Sequence, residues 1–174
     1  MAKNCLNKLA SNITVGCTIP QVGVKDIYLM HAEDVTLTNN GYGVVLTVVF
    51  AGGAKSYKIE GYKQNIQVTA SLKTTDASAR VDSSVTFKIP CSYGNRDFIN
   101  TIASGKFYVL VAFNDGDFTL LGDSAPLECS SADFDSNANA KMVTITLSSP
   151  EGSAGNSARN IGVDSRKLII SKAV

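Results

Sequence analysis

The chain has 174 residues, 44% of them hydrophobic, with 16 basic and 15 acidic side chains and a net charge of +1. That length and apolar share suffice for one domain with a buried core, and a charge near zero excludes a bulk electrostatic footprint for nucleic acid or anionic lipid. Trp is absent, which counts against sugar sites built on flat aromatic platforms, and no apolar run approaches the roughly 20 residues of a membrane span.

The chain starts MAKNCLNKLASNITVGCTIP, where Lys3 and Lys8 precede TVGC. Asn4, Asn7, Ser11 and Asn12 interrupt any continuous apolar stretch of the kind a secretion signal needs, so residues 1–22 read as an extended N-terminal arm and folding is expected in the cytosol. Cys5, Cys17, Cys91 and Cys129 include no C-x-x-C pair, and His31 is the sole histidine, so zinc-type spacing is lacking. The thiols read as free and partly buried, with a Cys5–Cys17 disulfide left open as the alternative.

From there the hydrophobic period is mostly two. VKDIYLMHA (24–32), DVTLT (34–38) and VVLTVVFA (44–51) read as strands, with NNGYG (39–43) turning between the last two. AKSYKIE (54–60) follows, and together these read as a meander. Next, Ile66, Val68, Ala70 and Leu72 alternate with Gln67, Thr69, Ser71 and Lys73, while Val85, Phe87 and Ile89 alternate with Ser84, Thr86 and Lys88. Each of these two strands therefore has one apolar and one wet face. DASARVDS (76–83) between them lacks apolar bulk and reads as an exposed loop.

GNRDFINTIASG (94–105) changes period: Phe98, Ile99 and Ile102 have helical spacing, Asn95 can cap the start, Asp97 suits the positive end of the dipole, and Gly105 stands where a left-handed stop is wanted. FYVLVAF (107–113) and FTLLG (118–122) then flank Asn114-Asp115-Gly116-Asp117, a hairpin turn in which Gly supplies a positive φ. KMVTITLSS (141–149) and SRKLIISKA (165–173) add two strands, joined by the loop PEGSAGNSARNIG (150–162). The expected fold is mainly β, about eight or nine strands in a β-sandwich or barrel flanked by one short α-helix, as a single domain over residues 1–174.

None of the polar clusters reads as chemistry. Asp115 and Asp117 sit at a solvated hairpin tip, without the separation and contrasting environments of an acid–base pair. Asp133, Asp135, Asn137 and Asn139 have the rhythm of a calcium loop, but Ala138 stands where such a loop needs Gly and Thr144 where it needs a bidentate Glu. His31 lies inside a strand pattern with no G-x-S-x-G elbow in the chain, and EGSAGNS lacks the G-K-[ST] ending of a phosphate loop and does not sit between a strand and a helix. Lys55, Tyr57, Lys58, Tyr62 and Lys63 come nearest to a nucleic-acid surface, yet an ordinary amphipathic strand explains them. The reading is a protein that is not an enzyme, with no catalytic residue, cofactor or metal.

The order of parts carries more than any site. GVKDIYLMHAEDVTLT, a strand ending in FKIP, a short helix, and then GKFYVLVAFNDGDFTLLGDSAPLECSSADFDSNANAKMVTITLSS resemble, from Gly23 to about Ser149, tail-tube-like virion proteins of tailed bacteriophages, in particular those of Bacteroidetes phages such as the crAss-like group. The resemblance implies a β-sandwich or barrel that assembles with its own copies into a ring of the tail or collar, against neighbouring tail and collar proteins, around a channel for genomic DNA. It also implies a virion location, with no membrane partner. The chain departs from the pattern at residues 73–84. Within it, the half-wet strands offer Gln67, Thr69, Ser71, Lys73, Ser84, Thr86 and Lys88 as subunit contact and channel wall. Head-to-tail rings bury strand edges against neighbours, and a wall poor in Lys and Arg avoids holding DNA. The alternatives are a β-sandwich binding module, adhesin or carbohydrate-binding, and a small hydrolase if His31 sits beside a nucleophile.

Overall fold

A computed structural model describes residues 23–39, 44–61, 65–75, 78–92, 95–134, 141–150 and 159–174. Its strands are β1 (Val24–His31), β2 (Val35–Asn39), β3 (Val44–Phe50), β4 (Ser56–Glu60), β5 (Ile66–Thr75), β6 (Ser78–Pro90), β7 (Lys106–Phe113), β8 (Phe118–Leu121), β9 (Leu127–Phe134), β10 (Met142–Ser148) and β11 (Asn160–Ile161). Two helices, α1 (Arg96–Ser104) and α2 (Val163–Ser171), and a 3-10 turn at Ala32–Asp34 complete the described elements.

The larger sheet runs β4-β1-β7-β9-β10-β6-β5, with β8 also paired to β7, and the smaller runs β11-β3-β2. Ile27 and Leu29 of β1 share one apolar cluster with Val143, Ile145 and Leu147 of β10, Val85, Phe87 and Ile89 of β6, and Ile66 of β5. Residues from the two ends of the sheet meet there, so the sheet curls around them. Its end strands β4 and β5 are not hydrogen-bonded to each other, which leaves the curl short of a closed barrel. Helix α1 adds Ile102 to this cluster, with Phe98 and Ile99 against it.

A second cluster lies on the opposite face of β1 and β7. Tyr28, Met30, Leu110, Ala112 and Leu120 meet Val35, Val45 and Val48 of the small sheet and Ile169 of α2. Strands covered on both faces have no wet positions, which is why IYLM in β1 and VLVA in β7 are unbroken apolar runs. Strands covered on one face alternate, as β10 does from Met142 to Ser148.

The mainly β expectation with a flanking helix holds, and several local expectations need correction. The first four strands are not a meander: β1 lies between β4 and β7, while β2 and β3 pair in the other sheet. The 3-10 turn after His31 moves the chain between sheets, which a reading of local period cannot register. From Ser78 on, DASARVDS is strand and not loop, because β6 begins there and pairs with β5 without a break from Thr75↔Ser78 to Ile66↔Phe87, while Asp76 and Ala77 lie outside the described residues. Backbone pairing here does not depend on apolar side chains. The stretch from Ser165 to Ala173 is mostly helix α2 and not a strand: only Ser165 and Ile169, one turn apart, are buried, and Leu168 and Ile170 are exposed. Strand β9 went unread because LECSSADF buries only Leu127 fully, and a bulge near Thr146 shifts its register against β10.

At α1, Asn95 occupies the cap position without capping: its side-chain amide donates to the Pro90 carbonyl at 3.0 Å. Gly105 does not adopt the left-handed stop expected of it, since its φ is −93°. What requires glycine there is space, because a Cβ would stand 2.4 Å from the Phe107 ring. The Asp-rich turn behaves as the sequence implies. Gly116 has φ +92°, the Asp117 N–H donates to Asp115 Oδ1 at 3.0 Å, and both aspartates are exposed.

The two described cysteines are free and differ in setting, Cys91 exposed and Cys129 half-buried. Burial pushes the Cys129 thiol up, only partly offset by a backbone hydrogen bond of Ser131. Thiolate is the reactive form, so iodoacetamide at about pH 8 is expected to label Cys91 roughly tenfold faster than Cys129 when followed peptide by peptide. Equal rates would contradict this packing of β9. Cys5, Cys17 and the whole arm 1–22 lie outside the described residues.

Candidate functional site

The outer face of β5, β6, β10 and β9 carries the sequence-predicted residues. Gln67 is opposite Thr86, which is opposite Thr146, which is opposite Ser131. One step along, Thr69, Ser84, Ser148 and Glu128 form a second row, and Lys88, Thr144 and Asp133 a third. Alternation places all of these on the face away from the core, since Val85, Phe87, Ile145 and Leu147 take the inner positions. Gln67, Thr69 and Ser71 are exposed, while Ser84, Thr86 and Lys88 are half-buried. Lys73 is opposite Arg80 in the β5–β6 register, and its side chain lies outside the description.

Neighbouring hydroxyls bond across the strands. Thr69 Oγ1 and Ser84 Oγ are 2.6 Å apart, and Thr86 Oγ1 and Thr146 Oγ1 3.1 Å. Sequence reasoning missed the half supplied by β10 and β9, although the alternation in KMVTITLSS already set Thr144, Thr146 and Ser148 on one side. The charges within the rows are few: Lys88 and Asp133 share one row, and Glu128 is bound to Lys106 at 2.8 Å. That bond raises the Lys106 ammonium above its usual range. The result is a broad hydroxyl surface that can hydrogen-bond water or phosphate oxygens while offering little fixed charge to hold a polyanion.

Beside this face is the free edge of the sheet. Strand β5 pairs with β6 over ten residue pairs without a bulge, contains no Pro or Gly, and among the described residues has no partner on its other side. Pairing of β6 with β10 covers only Ser84–Pro90, so the hairpin outruns the sheet, and Leu72 near its end is 67% exposed. At the other end of the sheet, β4 is partly covered. The Ser56 N–H donates to the Lys172 carbonyl at 3.2 Å, the Val174 N–H donates to the Ser56 carbonyl at 3.1 Å, and Ser56 Oγ donates to the Ile169 carbonyl at 2.7 Å.

A groove of about 690 Å³ lies against β4, with Tyr57, Ile59, Ile89, Phe98 and Met142 among its apolar lining and Lys58, Glu60, Asn65 and Lys88 among its polar lining. Lys58 binds Glu60 at 3.0 Å and stands 3.6 Å from Asp26; its ammonium is raised chiefly by the Glu60 bond. His31 ends β1 half-buried, its ring 4.8 Å from that of Phe107 and 5.9 Å from that of Tyr57, beside a cavity of about 110 Å³. Thr101 and Tyr57 are the hydroxyl-bearing side chains among its lining residues.

Of the calcium-like run, Asp133 belongs to β9 opposite Thr144, and Asp135, Asn137 and Asn139 lie outside the described residues, as does EGSAGNS. Among the described residues no helix is long and apolar enough to cross a membrane. No family model, curated protein or solved structure matches the chain.

Proposed function

We propose that the chain is a non-enzymatic structural subunit that associates head to tail with its own copies into a ring or tube, as the resemblance to phage tail-tube proteins implies, with the hydroxyl face as channel wall and the β5–β6 hairpin as subunit contact. The observation that carries this reading is the edge of β5. A long, regular strand edge without Pro or bulge is an aggregation hazard that monomers suppress with charges, kinks or covers, and Leu72 adds an apolar side chain to it. In an assembly the neighbour covers both. The wall reading draws on the nearly neutral hydroxyl rows, which suit a surface that DNA must slide past. In that setting the partners are further copies, adjoining tail or collar proteins, and DNA in passage, and the location is the virion.

Light scattering and negative-stain imaging of the purified chain test this: masses at a fixed multiple of 18.4 kDa and ring projections are expected. The Leu72→Lys variant is expected to stay folded, with stability changed by no more than about 0.5 kcal/mol because the site is exposed, yet to lose the rings. A chain that is monomeric at every concentration overturns the proposal. The groove beside β4 is the one observation that favours the alternative of a binding module, and a monomer retained on a glycan array would be its mark.

A further inference from the structure

We infer that the groove beside β4 receives residues Ile13–Ile19 from the N-terminal arm of a neighbouring copy, laid down as an added strand along the outer edge of β4. The inference rests on the assembly proposed above. Three observations converge on it. The first is the edge itself: the C-terminal residues Lys172–Val174 occupy the outer side of β4 at Ser56, the Asn65 amide donates to the Glu60 carbonyl at 3.4 Å, and from Tyr57 to Glu60 no described strand pairs there. Main-chain donors and acceptors along a strand edge are a template for strand addition.

The second is the match of the segment to the groove. Ile13, Val15, Cys17 and Ile19 alternate with Thr14, Gly16 and Thr18, without a charge or a proline until Pro20. A strand of that pattern has one apolar side for Ile59, Ile89, Phe98 and Met142 and one wet side for solvent. Seven residues span roughly 23 Å, ample for the five of β4.

The third is reach. The Gly23 carbonyl accepts from the Asn114 N–H at 3.2 Å and Val24 is opposite Phe113, while on the other side the Gly61 N–H donates to the Lys25 carbonyl at 2.7 Å. The arm therefore joins β1 between β7 and the chain leaving β4. With only Pro20, Gln21 and Val22 between the segment and Gly23, a return across both β1 and β4 would use nearly the full reach of the link, roughly 10 Å over three residues. A neighbour's β4 imposes no such demand.

Oxidative cross-linking of the full chain tests the inference, using Cys17 and a cysteine placed on the same face of β4 by Tyr57→Cys or, separately, Ile59→Cys. Two differently tagged copies are mixed, and the joined peptides are identified by mass. A disulfide between copies is expected from at least one variant, together with a tenfold or greater loss of assembly in Val15→Asp and none in Thr14→Asp, which alters the wet side. Cross-linking confined within one copy overturns the inference. So do rings that form without any Cys17 cross-link and survive Val15→Asp, an outcome that leaves the ring proposal standing. A chain that never assembles removes both.

Discussion

Asp123→Ala is expected to lower stability by about 3 kcal/mol and to loosen the C-terminal segment from β8. The Asp123 carboxylate is 2% exposed and its Oδ2 is 2.9 Å from Arg159 Nε, itself on a side chain 28% exposed. Neither atom has an aligned hydrogen-bond partner among the described residues, so the attraction is charge on charge in a poorly solvated place. Removing one partner of such a pair leaves the other desolvated without compensation, which costs more than the pair contributes. The guanidinium can still reach some water, which puts the expected loss at the lower end of the usual range.

The consequence extends along the chain. Arg159 exchanges two backbone hydrogen bonds with Leu120, at 2.8 and 2.9 Å, and the segment it begins leads through β11 into α2, where Ile169 is fully buried in the second cluster. Denaturant unfolding should show the loss, and protease should cut Asp123→Ala after β10 sooner than the parent chain. The double variant Asp123→Leu with Arg159→Met is expected to recover most of the stability, because two apolar groups leave no unpaired charge. If Asp123→Ala unfolds at the parent midpoint, the pair is not what ties this segment down.

Phe87→Ala is expected to cost about 3–5 kcal/mol and to lower the melting temperature by on the order of 10 °C. Phe87 is 0% exposed and stands opposite Ile66 of β5 and Ile145 of β10. Removing its ring opens a cavity where residues from both ends of the curled sheet meet, and no side chain there can collapse into the space without breaking strand register. One residue away, on the other face, Thr86→Ala loses only a solvent-accessible hydroxyl contact with Thr146 and is expected to cost no more than about 1 kcal/mol. Comparable losses for the two variants would refute the division into inner and outer faces on which the proposed wall depends.

That division also ties packing to the proposed use. The same alternation that sends Val85, Phe87 and Ile89 inward sends Ser84, Thr86 and Lys88 outward, so the core and the hydroxyl rows are two faces of one strand pattern. A substitution that slipped the register by one residue would destroy both at once.

Much of this was legible in the residues alone, and the reason is periodicity. Strands covered on one face alternate, so the wet sides of β5 and β6 stood out, as did the Asp-Gly turn before β8 and the helical spacing of Phe98, Ile99 and Ile102. What the sequence by itself determined was that most of these stretches are strands, that β5–β6 and β7–β8 are neighbours, and which faces of β5 and β6 are wet. Tertiary structure alone decided that β1 passes between β4 and β7, that Thr144 and Thr146 continue the face begun by Gln67 and Thr69, and that Leu168–Ile170 wind into a helix holding only Ile169 inside. Those outcomes depend on contacts between residues distant in the chain, where burial of a whole face outweighs the preference of any short stretch.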